Sequence, residues 1–178
     1  QVPGCQAAIQ ANCYGDGSSC SNAAASCNGL IEAYEQTGKN VYDVRKQCNG
    51  PLCYDFSKVI SFMNRQEVKT SLGVNQNVSW IPCNYQINGM FQNDWFMAFN
   101  YTVPPLLEAG IRVLIYAGDE DFICNWIGNK NWTTALQWSQ QSAFDSAVDT
   151  PVVVNNEQVA LVRSVGTSST PILFSFFQ

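Results

Sequence analysis

The chain has 178 residues, 46% of them hydrophobic, with a formal net charge of −5 and a sequence pI near 4.5. That apolar share suits a chain that buries a core rather than a disordered one, and no run approaches the ~20 apolar residues that a bilayer span requires. An acidic chain without a basic, aromatic-interleaved patch is poorly suited to nucleic acid, and the absence of any histidine removes the commonest general base and neutral metal ligand.

Six of the eight cysteines fall in the first 53 residues: Cys5, Cys13, Cys20, Cys27, Cys48 and Cys53. Such local density reads as a disulfide framework in an oxidising compartment. Zinc is the rival reading, but the spacings are not CxxC pairs and no imidazole is available, so no metal site is expected. Six cysteines allow fifteen pairings, and spacing does not choose among them. Residues 5–13 fit a short helix, Cys13 and Cys20 enclose a turn-prone loop, and residues 29–37 read as another short helix. Asn40-Val-Tyr-Asp-Val-Arg45 alternates. Gly50-Pro51 marks a turn inside the small cysteine loop. Helical spacing then runs over residues 56–74 through Val59, Ile60, Met63, Val68 and Leu72, and ends at Gly73. Residues 89–99 are aromatic-rich, and core packing is the plain reading of Trp95 and its neighbours.

After Pro104-Pro105, residues 106–130 read as helix, strand, acidic turn and helix. A short helix over 106–109 is closed by Gly110. The β-branched run over 111–116 is long enough for a strand buried on both faces of a parallel sheet. Asp119, Glu120 and Asp121 follow its end, where open α/β sheets place their chemistry. A helical pattern resumes over 125–138. The Asp119 side chain suits a bond to the amides of its own turn, and Cys124 suits a small buried hydrophobe. A glycosidase acid pair made of Asp119 and Asp121 has little support, because carboxylates so close in sequence seldom bracket a bond. Residues 140–159 are mostly polar, with short apolar runs such as 151–154, and 159–163 looks like a strand. There is no internal repeat and no phosphate-cradling glycine loop. Asn77-Val-Ser, Asn100-Tyr-Thr and Asn131-Trp-Thr are glycosylation acceptor sequons, which suit a secretory route.

The run from Val113 to Asn129, VLIYAGDEDFICNWIGN, resembles the segment of serine carboxypeptidases of the carboxypeptidase Y type that holds the aspartate of a Ser-Asp-His triad. Weaker resemblance covers residues 4–164, including Asn40-Val-Tyr-Asp-Val-Arg45 and Asn64-Arg-Gln-Glu-Val-Lys69. The resemblance implies the α/β class, as an incomplete α/β-hydrolase fold with a largely helical, disulfide-rich cap. It divides the chain into a cap region over 1–98, the C-terminal part of the core over 99–164, and a divergent tail over 165–178. It makes Asp121 the triad carboxylate, and it places Trp95, Ile123 and Cys124 in the substrate pocket. It pairs Cys5 with Cys27 around Cys13 and Cys20, then Cys48 with Cys53. Cys83 matches a cap cysteine whose partner lies in the N-terminal part of the enzyme, so Cys83 and Cys124 are left as free thiols.

The implied activity is release of C-terminal amino acids from peptides and proteins by acyl-enzyme chemistry, without a cofactor, in a vacuole or outside the cell. The chain departs from that pattern in three ways. It has no G-x-S-x-G elbow for a serine nucleophile, no histidine, and an apolar ending after Ser164 that matches nothing of the family's Gly-His-Met turn. The serine is therefore expected upstream, and the chain alone is expected to be inactive, a truncated or mis-spliced product. A start at Gln1 without an apolar leader suggests a mature or excised piece. The rival reading is a secreted, non-catalytic module stapled by disulfides. Neither reading calls for nucleic acid or membrane as a partner.

Overall fold

The computed structural model describes residues 2–14, 20–91, 94–167 and 170–178, and the interior of the Cys13–Cys20 loop falls outside them. The chain divides into two compact units, one of Gln1–Asn40 and Lys46–Met97, the other of Val41–Arg45 and Ala98–Gln178.

The first unit is helical. Helices α1 (Val2–Asn12) and α2 (Ser21–Glu35) pack together. Three disulfides are formed: Cys5–Cys27, Cys13–Cys20 inside it, and Cys48–Cys53. α2 begins eight residues earlier than the composition of 29–37 suggests, because Cys20 and Cys27 anchor both ends of an alanine-rich segment with high helix propensity. Strands β1 (Lys39–Asn40) and β2 (Asp43–Gln47) make a two-stranded ribbon. The helical stretch expected over 56–74 is two helices, α3 (Ser57–Met63) and α4 (Gln66–Ser71). The break is made by Asn64. Its Nδ2 donates to the Ile60 carbonyl at 2.9 Å, which closes α3, and to the Trp80 carbonyl at 2.9 Å, while its Oδ1 accepts from Trp80 N at 2.9 Å. An Asn side chain that satisfies backbone groups in this way competes with helix continuation. α5 (Tyr85–Met90) follows, capped by Asn84, whose Oδ1 accepts from Ile87 N.

The second unit is a mixed sheet with helices. α6 (Val103–Glu108) ends in a left-handed Gly110 (φ 75°), with Ile111 N donating to the Leu106 carbonyl at 2.9 Å. That geometry is a Schellman stop, and it favours glycine there. β3 (Val113–Tyr116), α7 (Trp126–Thr134), α8 (Gln141–Ser146), β4 (Thr150–Val154), β5 (Glu157–Thr167) and β6 (Thr170–Phe177) complete the unit. The sheet order is β3-β6-β5-β4, with β6 parallel to β3 and antiparallel to β5.

Two findings differ from the sequence reading. β3 is parallel, but among the described residues it lies at the sheet edge with β6 as its one neighbour. Its burial alternates, and Leu114 is 57% and Tyr116 80% exposed. An apolar run therefore marked an edge strand, which periodicity alone does not separate from a doubly covered one. Second, the apolar segment set apart as a divergent tail forms β6, the strand between β3 and β5. Phe174 and Phe176 point to one face, as a period of two requires, at 0% and 2% exposure. They join Leu107, Ala117, Leu136 and Phe144 in the core cluster. Phe174 stacks tilted on Phe144 at 4.6 Å between centroids, and meets Trp138 edge to face at 5.9 Å. Residues 140–159 also hold more order than their polarity suggests. Asn155 and Asn156, at φ 52° and 66°, form the two-residue turn that joins β4 to β5. Positive φ at both central residues is the hairpin geometry that asparagine tolerates.

Candidate active site

The acidic turn lies at the carboxyl end of β3. Ala117 N still donates to the Phe177 carbonyl at 2.9 Å, so the pairing with β6 runs up to the turn itself. The Asp121 amide then donates to the Gly118 carbonyl at 3.3 Å. Beyond the turn the chain enters α7 through Asn125, whose Oδ1 caps the helix by accepting from Gly128 N at 2.8 Å. A Cβ at position 128 would meet that oxygen at 3.3 Å, so the cap leaves little room there.

Residues 41–45 strap the turn from outside. The Val41 carbonyl accepts from both Phe122 N and Ile123 N at 3.1 Å, and Val44 N donates to the Glu120 carbonyl at 2.9 Å. Arg45 binds Asp43 through two bonds, Nε–Oδ1 at 2.8 Å and Nη2–Oδ2 at 3.0 Å, and lies 4.0 Å from Glu120. Glu120 therefore faces a guanidinium, and the negative charge of the turn is partly balanced. Sequence reasoning marked Asn40 to Arg45 only as an alternating, family-like run. Its role at the turn is a tertiary one, and the one local signal was the Asp and Arg two residues apart on a strand, which places them on the same face.

Asp121 is half-buried. Its Oδ1 accepts from Cys124 N at 2.9 Å, and among the described residues no bond occupies Oδ2. The turn hydrogen bond expected of Asp119 thus belongs to Asp121. Asp119 instead lines a cleft of about 290 Å³ with Gly118, Gln158–Leu161 and Gln178. The two carboxylates serve different surroundings, and Asp121 is not in that lining. The Cys124 thiol is raised above its ordinary value, first by partial desolvation of the sulfur and then by the Asp121 carboxylate. It stays protonated at neutral pH and is a poor nucleophile. The Cys124 carbonyl accepts from Asn129 Nδ2 at 3.1 Å, and Asn129 Oδ1 accepts from Trp132 Nε1 at 3.0 Å. Ile123 and Cys124 are both exposed beside Asp121. Trp95 is exposed in the helical unit. Cys83 and Cys124 carry free thiols. Asn77, Asn100 and Asn131 are exposed. Among the described residues no group of three or more His, Cys, Asp or Glu side chains could hold a metal ion, and no helix is long and apolar enough to cross a membrane.

Behind the turn, α7 is tied to the sheet by charge. Lys130 and Arg163 both bind Asp149, Arg163 Nε at 2.8 Å from Oδ1, and Arg163 also donates to the Phe144 and Asp145 carbonyls. Partial burial opposes the Asp149 charge, but the hydrogen bonds from Arg163 and Lys130 outweigh it and hold the carboxyl below its usual range.

A profile of the serine carboxypeptidase family matches residues 5–172. The chain belongs to the serine carboxypeptidase family. The match runs past Ser164 to residue 172, at the start of β6. The chain is 41% identical over 171 residues to a serine carboxypeptidase-like protein of Pisum sativum, covering 94% of this chain and 59% of that one. It is 46% identical over 154 residues to carboxypeptidase Y homolog A of Chaetomium globosum, covering 82% of this chain and 27% of that one. To serine carboxypeptidase-like 48 of Arabidopsis thaliana it is 37% identical over 155 residues, or 86% of this chain and 30% of the relative. The chain thus spans between 27% and 59% of the length of these relatives. The crystal structure of Kex1(delta)p, a prohormone-processing carboxypeptidase of Saccharomyces cerevisiae, superposes with a TM-score of 0.67 at 20% identity, over 97% of this chain and 41% of that one. That likeness shows the fold, the α/β-hydrolase arrangement, here with a disulfide-bearing helical portion.

Proposed function

We propose that this chain supplies the carboxylate of a serine carboxypeptidase triad, and that Asp121 is that carboxylate. The observation that supports the reading is the position of Asp121 at the carboxyl end of β3, fixed by Cys124 N while Oδ2 remains open. In the reaction a serine hydroxyl attacks the carbonyl of the last peptide bond, an imidazole takes its proton and returns it to the leaving amine, and water then hydrolyses the acyl-enzyme. Asp121 fixes the imidazole tautomer and stabilises its cation. The 178 residues contain no histidine and no G-x-S-x-G elbow. Serine and imidazole therefore come from polypeptide outside this chain, and the chain alone is inactive. Substrates are peptide and protein C-termini, with Ile123 and Cys124, beside Asp121, lining the substrate pocket. The N-terminal portion of a family member provides the serine and the partner of Cys83. The disulfides fit a secretory route, ending in a vacuole or outside the cell.

The test is hydrolysis of a blocked dipeptide with a free C-terminus at mildly acid pH, with and without a serine-directed phosphonylating inhibitor. The purified chain is expected to be inert and unlabelled. Co-refolding with family segments that carry the serine and the histidine should restore inhibitor-sensitive activity, and Asp121→Asn should lower it by ~10⁴-fold. Inhibitor-sensitive hydrolysis by the chain alone would overturn the assignment of roles. Restored activity that ignores Asp121→Asn would remove Asp121 from the mechanism. Failure of every reconstitution would favour a non-catalytic module.

A further inference from the structure

A cleft of about 500 Å³ in the sheet-bearing unit is lined by Ala98, Phe99, Asn100, Val103 and Trp132. Four of the five are apolar, and the volume is that of a ligand pocket, ~300–1,000 Å³. The fifth, Asn100, is exposed and heads the sequence Asn100-Tyr101-Thr102, a glycosylation acceptor. Phe99 and Tyr101 on either side are exposed too. The indole of Trp132 is held in place by its bond from Nε1 to Asn129 Oδ1 at 3.0 Å. The cleft thus sets a fixed aromatic face and an aliphatic side chain beside a modifiable asparagine, the setting in which an amphipathic group can be received.

We infer that Asn100 carries an N-linked glycan and that its first sugar seats in this cleft against Trp132 and Val103. The occupant is set by geometry, because a sugar attached to Asn100 grows from the wall of the cleft. Its polar edge stays in water, and its C–H face meets the indole, as amphipathic groups are received by aromatic rings. In the modification the Asn100 Nδ2 attacks C1 of a lipid-linked oligosaccharide diphosphate. The C–N bond forms as the bond from C1 to the diphosphate oxygen breaks, and the amide proton leaves with the lipid diphosphate. The glycan then shields apolar surface that the polypeptide leaves open. The inference depends on the secretory route proposed above but not on the catalytic role of Asp121.

The experiment is secretion of the chain from a glycosylating eukaryotic host, peptide mapping by mass, and melting of the purified protein. Asn100 is expected to be occupied. Trimming with an endoglycosidase that leaves one N-acetylglucosamine should preserve a Tm advantage of ~2–4 °C over Asn100→Gln, which corresponds to about 1 kcal/mol at this chain length. That advantage should vanish in Trp132→Ala or, if this variant does not fold, in Val103→Ser. An unoccupied Asn100 overturns the inference. So does an occupied Asn100 whose trimmed form melts with Asn100→Gln, or whose advantage survives both cleft variants. A catalytically inert chain with a seated glycan would leave the inference standing while counting only against the triad reading.

Discussion

In the helical unit the most enclosed side chains are small. Cys5, Cys13, Cys20, Ala23, Ala24 and Cys27 are buried, and no large aromatic residue among those described is buried with them. In the sheet-bearing unit the large enclosed residues are Phe144, Phe174, Phe176, Leu107 and Leu136. Fully burying a Phe or Leu side chain stabilises by ~1.5–3 kcal/mol, and alanine contributes little by comparison. The first unit offsets its thin core by restricting the unfolded chain with covalent links, whereas the second relies on contact between large rings. Two regions of one molecule should therefore fail under different insults, and that expectation can be tested region by region.

The largest effect is expected from Phe174→Ala. It removes the ring between Phe144 and Trp138 and leaves a cavity at the centre of the aromatic cluster, at a cost of about 3–5 kcal/mol. Urea unfolding followed by tryptophan emission measures it, and a loss under 1 kcal/mol would mean that the aromatic cluster does not hold this unit. Replacing Cys5 and Cys27 together by serine should cost about 3 kcal/mol, in proportion to the loop that Cys5–Cys27 closes. The loss should appear in the far-UV signal of α1 and α2 while the near-UV signal of the aromatic cluster persists. Loss of both signals at one denaturant concentration would erase the distinction between the units.

The smallest effect depends on pH. Asp149→Asn leaves Lys130 and Arg163 without their shared anion, at a cost of about 2 kcal/mol at neutral pH. The folded Asp149 carboxyl sits below its unfolded value. Its contribution is therefore fully present above the unfolded value near ~3.9 and fades as pH falls through the lower, folded value. The stability gap between the native chain and Asp149→Asn should stay constant from neutral pH down to about pH 5 and close below about pH 4. A gap that already closes near pH 6 would show that another group carries the pH dependence.

Much of the fold was legible because local rules and tertiary structure agreed. The stop at Gly110, the strand leading to the acidic turn and the cysteine density near the start are short-range features with a physical reading. The pairing of the cysteines was not legible from spacing, and it came from the family resemblance; the folded chain has Cys5–Cys27, Cys13–Cys20 and Cys48–Cys53. What sequence reasoning missed was long-range. The pairing of residues 170–177 was hidden, because nothing local says that Phe174 will stand opposite Val113. The strap of Val41 and Arg45 on the acidic turn was hidden for the same reason, since its partners lie far along the chain. The edge position of β3 depends on which strand pairs beside it, which the composition of 111–116 does not encode.

The sheet order sets a timetable for folding during synthesis. β6 is made after β3, β4 and β5, yet it lies between β3 and β5. The β4–β5 hairpin can close as soon as it leaves the ribosome, because its strands are adjacent in the chain and its turn is local. Among the described residues β3 pairs with β6, and that pairing must wait for the strand that sets Phe177 opposite Tyr116. At ~5–20 residues per second that wait lasts on the order of 3–12 seconds. During this interval an apolar strand and the aromatic pocket that will receive Phe174 remain open. Residues 113–116 therefore stay without β6 through this interval, and a chain cut before β6 should keep the β4–β5 hairpin while losing the pairing of β3.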